Sequence, residues 1–216
     1  MDFLNELLHF FKAEAYVAIP ILLVIVLGFA ISAERFFALS SIRSRNLKAW
    51  KEFLPLLEKG KFDDVKLMAQ KKPSEIGRLL ILGMERSSAV RRRDDIEVAM
   101  EEGILELTPQ LEKRIPYIGL YANISTLLGL LGTVIGLIKA FKAVADAPPA
   151  LKSELLSASI GLAMNATALG LFGAVPMLIM FTVNSSKAAE IMTSMEMATV
   201  KTLNLITEVK KAPGQV

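Results

Sequence analysis

Three stretches of the chain carry no charged residue: Ala15 to Ala33, Ile115 to Ile138 and Leu155 to Ser186. They run for about 19, 24 and 32 residues. Crossing a hydrocarbon core takes about 20 apolar residues at ~1.5 Å each, so every stretch is long enough. The third exceeds the core and must tilt or project beyond it. The pattern predicts transmembrane helices at 13–35, 115–144 and 155–186. A turn at 145–154 joins the last two, where Pro148 and Pro149 end the helix.

The rest of the chain is charged but keeps a helical period. In residues 36–114, Ile96, Met100, Ile104, Leu107 and Leu111 fall on one face, with Glu101, Glu102 and Glu106 elsewhere. Pro109 should kink that helix unless a new one starts there. Beyond Ser185, the positions Ile191, Met195, Ala198, Leu203 and Ile206 continue the period over 187–216, ahead of a disordered tail from Ala212. Residues 1–12 read as an interfacial amphipathic helix with Phe3, Leu4, Leu7, Leu8 and Phe11 on one side. Asp2, Glu6 and Glu14, against the single Lys12, argue against a cleaved signal peptide, whose start is basic. His9 reads as an ordinary amphipathic position. The predicted fold class is an all-α membrane protein: three transmembrane helices extended into a cytoplasmic helical bundle and assembled as a ring.

Within the second and third apolar runs, small and hydroxyl-bearing residues recur at helical spacing. Stepping by four and three gives Ala122, Thr126, Gly129, Thr133, Gly136, Ala140 and Ala143. The same stepping from Ser159 gives Ala163, Thr167, Gly170 and Ala174. A lipid-facing helix gains nothing from such a stripe; a closely packed helix, or one lining a narrow polar path, needs it. Two stripes, each with a central threonine, favour a lined pathway through Thr133, Thr167, Thr126, Asn165 and Ser159. Gly129, Gly132, Gly136, Gly161, Gly170, Gly173 and Pro176 are the expected helix-packing positions. Gly132 and Gly136 form a Gly-xxx-Gly pair expected to act between copies of the chain.

Charge sets the expected orientation. Arg35, Arg43, Arg45, Lys48 and Lys51 follow the first run, Lys113 and Arg114 precede the second, and Lys187 follows the third. Basic flanks stay in the cytoplasm, which leaves the N-terminus and the Pro148–Pro149 turn outside. Lys139, Lys142 and Lys152 flank that turn and run against the rule, but they are the smaller cluster. A net charge of +3 is small for a nucleic-acid binder, and no nucleic-acid partner is expected.

The chemistry of catalysis is missing. The sequence has one histidine and no cysteine, and it holds no P-loop, dinucleotide fingerprint or metal-ligand spacing. We expect no enzyme, no metal and no cofactor. The three apolar runs also lack any titratable side chain, whereas proton relays in membranes usually carry one. If the protein conducts ions, that group must come from another chain.

The run Ala122-Asn-Ile-Ser-Thr-Leu-Leu-Gly-Leu-Leu-Gly-Thr-Val-Ile-Gly-Leu-Ile-Lys-Ala-Phe141 resembles the second transmembrane helix of the MotA/TolQ/ExbB proton-channel family. The run Ser159-Ile-Gly-Leu-Ala-Met-Asn-Ala-Thr-Ala-Leu-Gly-Leu-Phe-Gly-Ala-Val-Pro176 resembles its third, and Ala33-Glu34-Arg35 resembles the end of its first. The resemblance implies an inner-membrane motor subunit, a pentameric ring around two copies of a single-pass partner of the ExbD/TolR/MotB type. That partner carries the membrane aspartate, and Thr133 and Thr167 match the family's two threonines facing it. Many ExbB/TolQ members have a glutamate five residues before the third-helix threonine, and here that position is Leu162. Three helices and a short N-terminus favour the ExbB/TolQ branch. The work implied is transport of the TonB-dependent type, Tol-type envelope maintenance or gliding motility. The alternatives are a flagellar-type stator, a small-solute carrier, and a membrane scaffold whose stripes only pack.

Overall fold

A computed structural model describes residues 14–89 and 92–211; the side chains of 209–211 are outside it. The amphipathic reading of residues 1–12, His9 and the tail from Ala212 lie outside the described residues. All regular structure among those described is helical: α1 Ala15–Glu58, α2 Phe62–Lys71, α3 Glu75–Ala89, α4 Arg93–Glu112, α5 Ile115–Ala145 and α6 Lys152–Lys211. Three helical stretches, beginning at Ala15, Arg93 and Lys152, are long and apolar enough to cross a membrane.

The contacts divide the chain into two compact units. The first holds residues up to Glu34 and Arg114–Val183; the second holds Arg35–Lys113 and the chain from Asn184.

The first unit is apolar on the outside. Ile19, Leu23 and Val26 of α1, Leu127, Leu130 and Val134 of α5, and Phe172, Val175 and Ile179 of α6 are all exposed. Its interior is two small clusters. Ala18 and Ile21 meet Ala166 and Leu169 in one; Ile118 and Ala122 meet Ala174 and Met177 in the other. Large residues outside and small ones inside suit a lipid environment, where close backbone packing rather than hydrophobic burial holds helices together.

The second unit has the opposite arrangement. Leu79, Leu80, Ile96, Met100, Leu111, Ile191 and Met195 are buried, and charged residues cover the surface. Polar side chains close its helix ends. Ser74 Oγ accepts from the Gly77 amide at 3.1 Å, and Asn46 Oδ1 accepts from the Glu75 amide at 3.1 Å, so two donors at the start of α3 are satisfied. Arg35 is buried and its guanidinium donates to the carbonyls of Leu111 at 2.6 Å and Gln110 at 3.2 Å, closing the end of α4. Arg35→Met keeps the apolar stem and removes those donors. It should cost about 1–2 kcal/mol, read as a shift of the thermal midpoint in detergent. An unchanged midpoint would mean that water replaces the guanidinium at no cost. Lys187 lies with Nζ 3.3 Å from the Phe36 ring centroid and donates to Ser40 Oγ at 2.7 Å. Burial, then the positive charge of Arg43, holds this ammonium below the usual lysine range, and Glu190 pulls against them.

The first membrane helix extends into the charged region, in line with the fold class read from the sequence: α1 continues to Glu58. The charge boundary marks a change of surroundings, and nothing between Gly28 and Pro55 breaks a helix. Pro109 neither stops nor restarts α4, which runs through it from Arg93 to Glu112. The interruption falls at Lys113 and Arg114, where Arg114 adopts a left-handed φ of 64° and Pro116 follows in the first turn of α5.

Candidate functional site

Helices α5 and α6 form an antiparallel hairpin in the first unit, joined by the turn from Asp146 to Leu151. Contacts along the seam pair Ser125 with Gly170, Gly129 with Ala166, and Gly136 with Ala163. The buried face of α5 runs Ile118, Ala122, Ser125, Gly129, Gly132 and Ala140. That is one step round from the four-three stripe in the sequence. Ser125 and Gly132 face inward, while Thr126 and Thr133 stand half-exposed at the flank of the seam.

The glycines explain why the seam is so close. A Cβ added at Gly170 would stand 2.6 Å from the Ser125 carbonyl oxygen and 3.1 Å from Gly129 Cα. One added at Gly129 would lie 3.0 Å from the Ala166 carbonyl oxygen. Gly132 and Gly136 face Ala166 and Ala163 of α6, at 2.5 Å from each methyl for an added Cβ. The Gly-xxx-Gly pair expected to act between copies therefore packs inside the chain. Gly173 is closed off by Ile25, and Gly28 of α1, which the stripes did not single out, by Met177 and Tyr121. At Gly161 an added Cβ meets nothing within 4 Å, so it packs on no part of this chain. Pro176 sits half-buried inside α6 without ending it.

Hydroxyls stitch the same seam. Ser125 is fully buried and its Oγ donates to the Gly170 carbonyl at 2.9 Å. Thr167 Oγ1 donates across to the Gly129 carbonyl at 3.0 Å. Thr133 Oγ1 donates to Leu130 at 2.6 Å, and Thr126 to Ala122 at 3.2 Å, both in their own helix. Thr133 and Thr167, 34 positions apart in sequence, thus bond consecutive carbonyls of α5. Each hydroxyl has one proton and two lone pairs, so both oxygens keep the capacity to accept. Asn165 is half-buried on α6.

Ser159 lines a cavity of about 50 Å³ with Glu14, Gly132, Gly136, Lys139 and Leu162. Lys139 Nζ lies 3.1 Å from the Glu14 carboxylate and 4.1 Å from the Tyr16 ring centroid. Leu162 thus shares its cavity with a carboxylate from the start of α1. The sequence marks Glu14 only as an acid ahead of the first helix; its pairing with Lys139 is not legible there, because 125 positions separate the two. Among the described residues no cluster of acids and histidines could hold a metal ion.

Residues 71–197 match the MotA/TolQ/ExbB proton channel family, and this segment covers most of the chain. The chain belongs to that family. It is 41% identical over 66 residues to the Tol-Pal system protein TolQ of Haemophilus influenzae, a match covering 31% of this chain and 28% of that protein. It is 53% identical over 53 residues to the biopolymer transport protein exbB1 of Vibrio cholerae, covering 24% of this chain and 23% of that protein. The chain thus spans about a quarter of the length of these two relatives. The likeness places it on the ExbB/TolQ-like side of the MotA/TolQ/ExbB family, among membrane proteins.

Proposed function

We propose that the protein is a proton-channel and motor subunit of the inner membrane, which works with a single-pass partner bearing a membrane carboxylate. In this reading several copies, five by analogy with the family, surround the partner and use the proton motive force for work at the cell envelope. The observation that carries the reading is the pair of threonines. Thr133 and Thr167 commit their protons to neighbouring α5 carbonyls and keep lone pairs for an incoming donor. A protonated carboxyl is such a donor. The α5–α6 hairpin has no acid of its own between Leu155 and Ser186 or between Ile115 and Ile138, so the proton carrier comes from elsewhere.

The reading is tested in proteoliposomes. The chain reconstituted with a single-pass partner containing an intramembrane aspartate should dissipate an imposed pH gradient, and changing that aspartate to asparagine should stop it. Equal flux with and without the partner carboxylate would refute the mechanism. The solute-carrier and scaffold readings have no observation in their favour beyond the seam itself.

The orientation follows the basic flanks. A reporter fused after Val216 should report the cytoplasm, and one inserted between Pro148 and Pro149 the periplasm. Periplasmic activity of the C-terminal fusion would invert the topology.

A further inference from the structure

The cavity beside the α5–α6 seam is polar at one end and reaches far along the hairpin. Lys139 and Ser159 line it toward the Asp146–Leu151 turn, and Gly132 and Ala166 line it two turns deeper. Seven residues separate the two levels on each helix, about 10 Å along the axis. Gly132 and Ala166 are the chain neighbours of Thr133 and Thr167, so the deep end lies at the level of the threonine pair. The volume is about 50 Å³. At ~15 Å³ each it holds roughly three waters.

One carboxylate borders this space. Glu14 stands just ahead of α1, and its backbone carbonyl accepts from the Val17 and Ala18 amides at 3.0 Å, which fixes the residue to the helix start. Its side chain is 19% exposed, whereas that of Lys139 is 52% exposed. The acid therefore sits inside and its ammonium partner at the rim. Lys139 Nζ reaches both carboxylate oxygens, at 3.3 and 3.1 Å. Among the described residues, Tyr16 of α1 and Lys139 of α5 are the titratable groups beside Glu14. Helix α6 contributes Ser159 and Leu162, and neither titrates. An ion pair with an exposed member adds little stability, and a clasp between two helices needs no water-sized space behind it.

We propose that Glu14 is a proton-transfer residue of the channel: it takes protons from water at the turn end of the hairpin and passes them along the cavity toward the partner's carboxylate. The inference rests on the channel reading above and adds a residue of this chain to it. The transfer balances. The Glu14 carboxylate accepts a proton from a hydronium ion, which leaves as water. The carboxyl then gives that proton to a water inside the cavity, which protonates the partner's carboxylate. Glu14 ends ionised as it began, with the Lys139 ammonium balancing its charge.

Glu14→Gln keeps the size of the side chain and removes the acid. In proteoliposomes with a single-pass partner containing an intramembrane aspartate, it should slow the decay of a pH gradient about tenfold or more. The thermal midpoint in detergent should change little, because the pair it breaks is half-exposed. Leu162→Glu places a carboxylate on the α6 wall of the same cavity. Glu14→Gln combined with Leu162→Glu should therefore recover most of the flux, and combined with Leu162→Gln it should not. A clasp between α1 and α5 could not be restored from α6, so the recovery separates proton transfer from anchoring. Wild-type flux in Glu14→Gln, or a loss that Leu162→Glu fails to recover, overturns the role of Glu14 and leaves the channel reading standing. A wild-type chain without partner-dependent flux overturns both.

Discussion

Gly170→Leu should break the α5–α6 hairpin and abolish flux, whereas Gly161→Leu, nine residues from it, should change neither fold nor stability. At Gly170 the obstacle is backbone. The nearest atoms to an added Cβ are the Ser125 carbonyl oxygen and Gly129 Cα, and neither can rotate aside as a side chain can. The helices must separate to admit four more carbons. Separation also breaks the Ser125-to-Gly170 and Thr167-to-Gly129 hydrogen bonds, which lie at the same level of the seam. Overpacking costs about 1–3 kcal/mol and occasionally more; with two inter-helix bonds lost besides, we expect about 3 kcal/mol or more. Gly161 faces open space, so leucine there meets no protein within the chain. Thermal unfolding in detergent and protease sensitivity of the Asp146–Leu151 turn read the difference. Equal midpoints for the two variants would mean that the seam is not the tight contact described.

The same seam shows how far a sequence carries. Three uncharged runs sufficed for the three apolar helices, because in lipid the cost of a charge leaves little freedom. The buried periodicity of α4 and of the later part of α6 was also legible, since Ile96, Met100, Ile104, Ile191 and Met195 carry large apolar side chains at helical spacing. The phase of α5 was not. Gly132 and Thr133 are adjacent and both small, as are Ser125 and Thr126, so a four-three and a three-four stripe fit the residues equally well. Only the position of Ala163 and Ala166 on the opposing helix decides between them. The sequence also gave no sign of the left-handed Arg114, because an arginine in that conformation has no local signature. Gly161 looked like the other glycines of its run, yet it lies on the far side of α6, and composition carries no information about which side of a helix is covered.

The seam also sharpens the largest functional effect expected. Thr133→Val and Thr167→Val should each slow partner-dependent proton flux tenfold to hundredfold, but only the second should weaken the hairpin. Both substitutions keep the side-chain shape. Thr133 donates to Leu130 within its own helix, and that carbonyl already accepts in the helical ladder, so removing the hydroxyl leaves the packing intact. Thr167 donates across to Gly129, so its loss removes one inter-helix bond, about 0.5–1.5 kcal/mol. For flux, the relevant property is the lone pairs that both oxygens retain. A protonated carboxyl passing the pair can donate to them; an ionised one gains a donor only when a hydroxyl turns away from its carbonyl. Losing the bond that the turned hydroxyl gives an ionised carboxylate costs roughly 1.5–3 kcal/mol, and ~1.4 kcal/mol on a barrier is a factor of ten. Thr→Ser preserves the hydroxyl and should retain most of the flux at both positions. The measurement is the decay of a pH gradient in proteoliposomes holding the partner, beside the melting temperature of each variant. Flux lost only in step with stability, at Thr167 and not at Thr133, would make these threonines packing residues and move the pathway elsewhere.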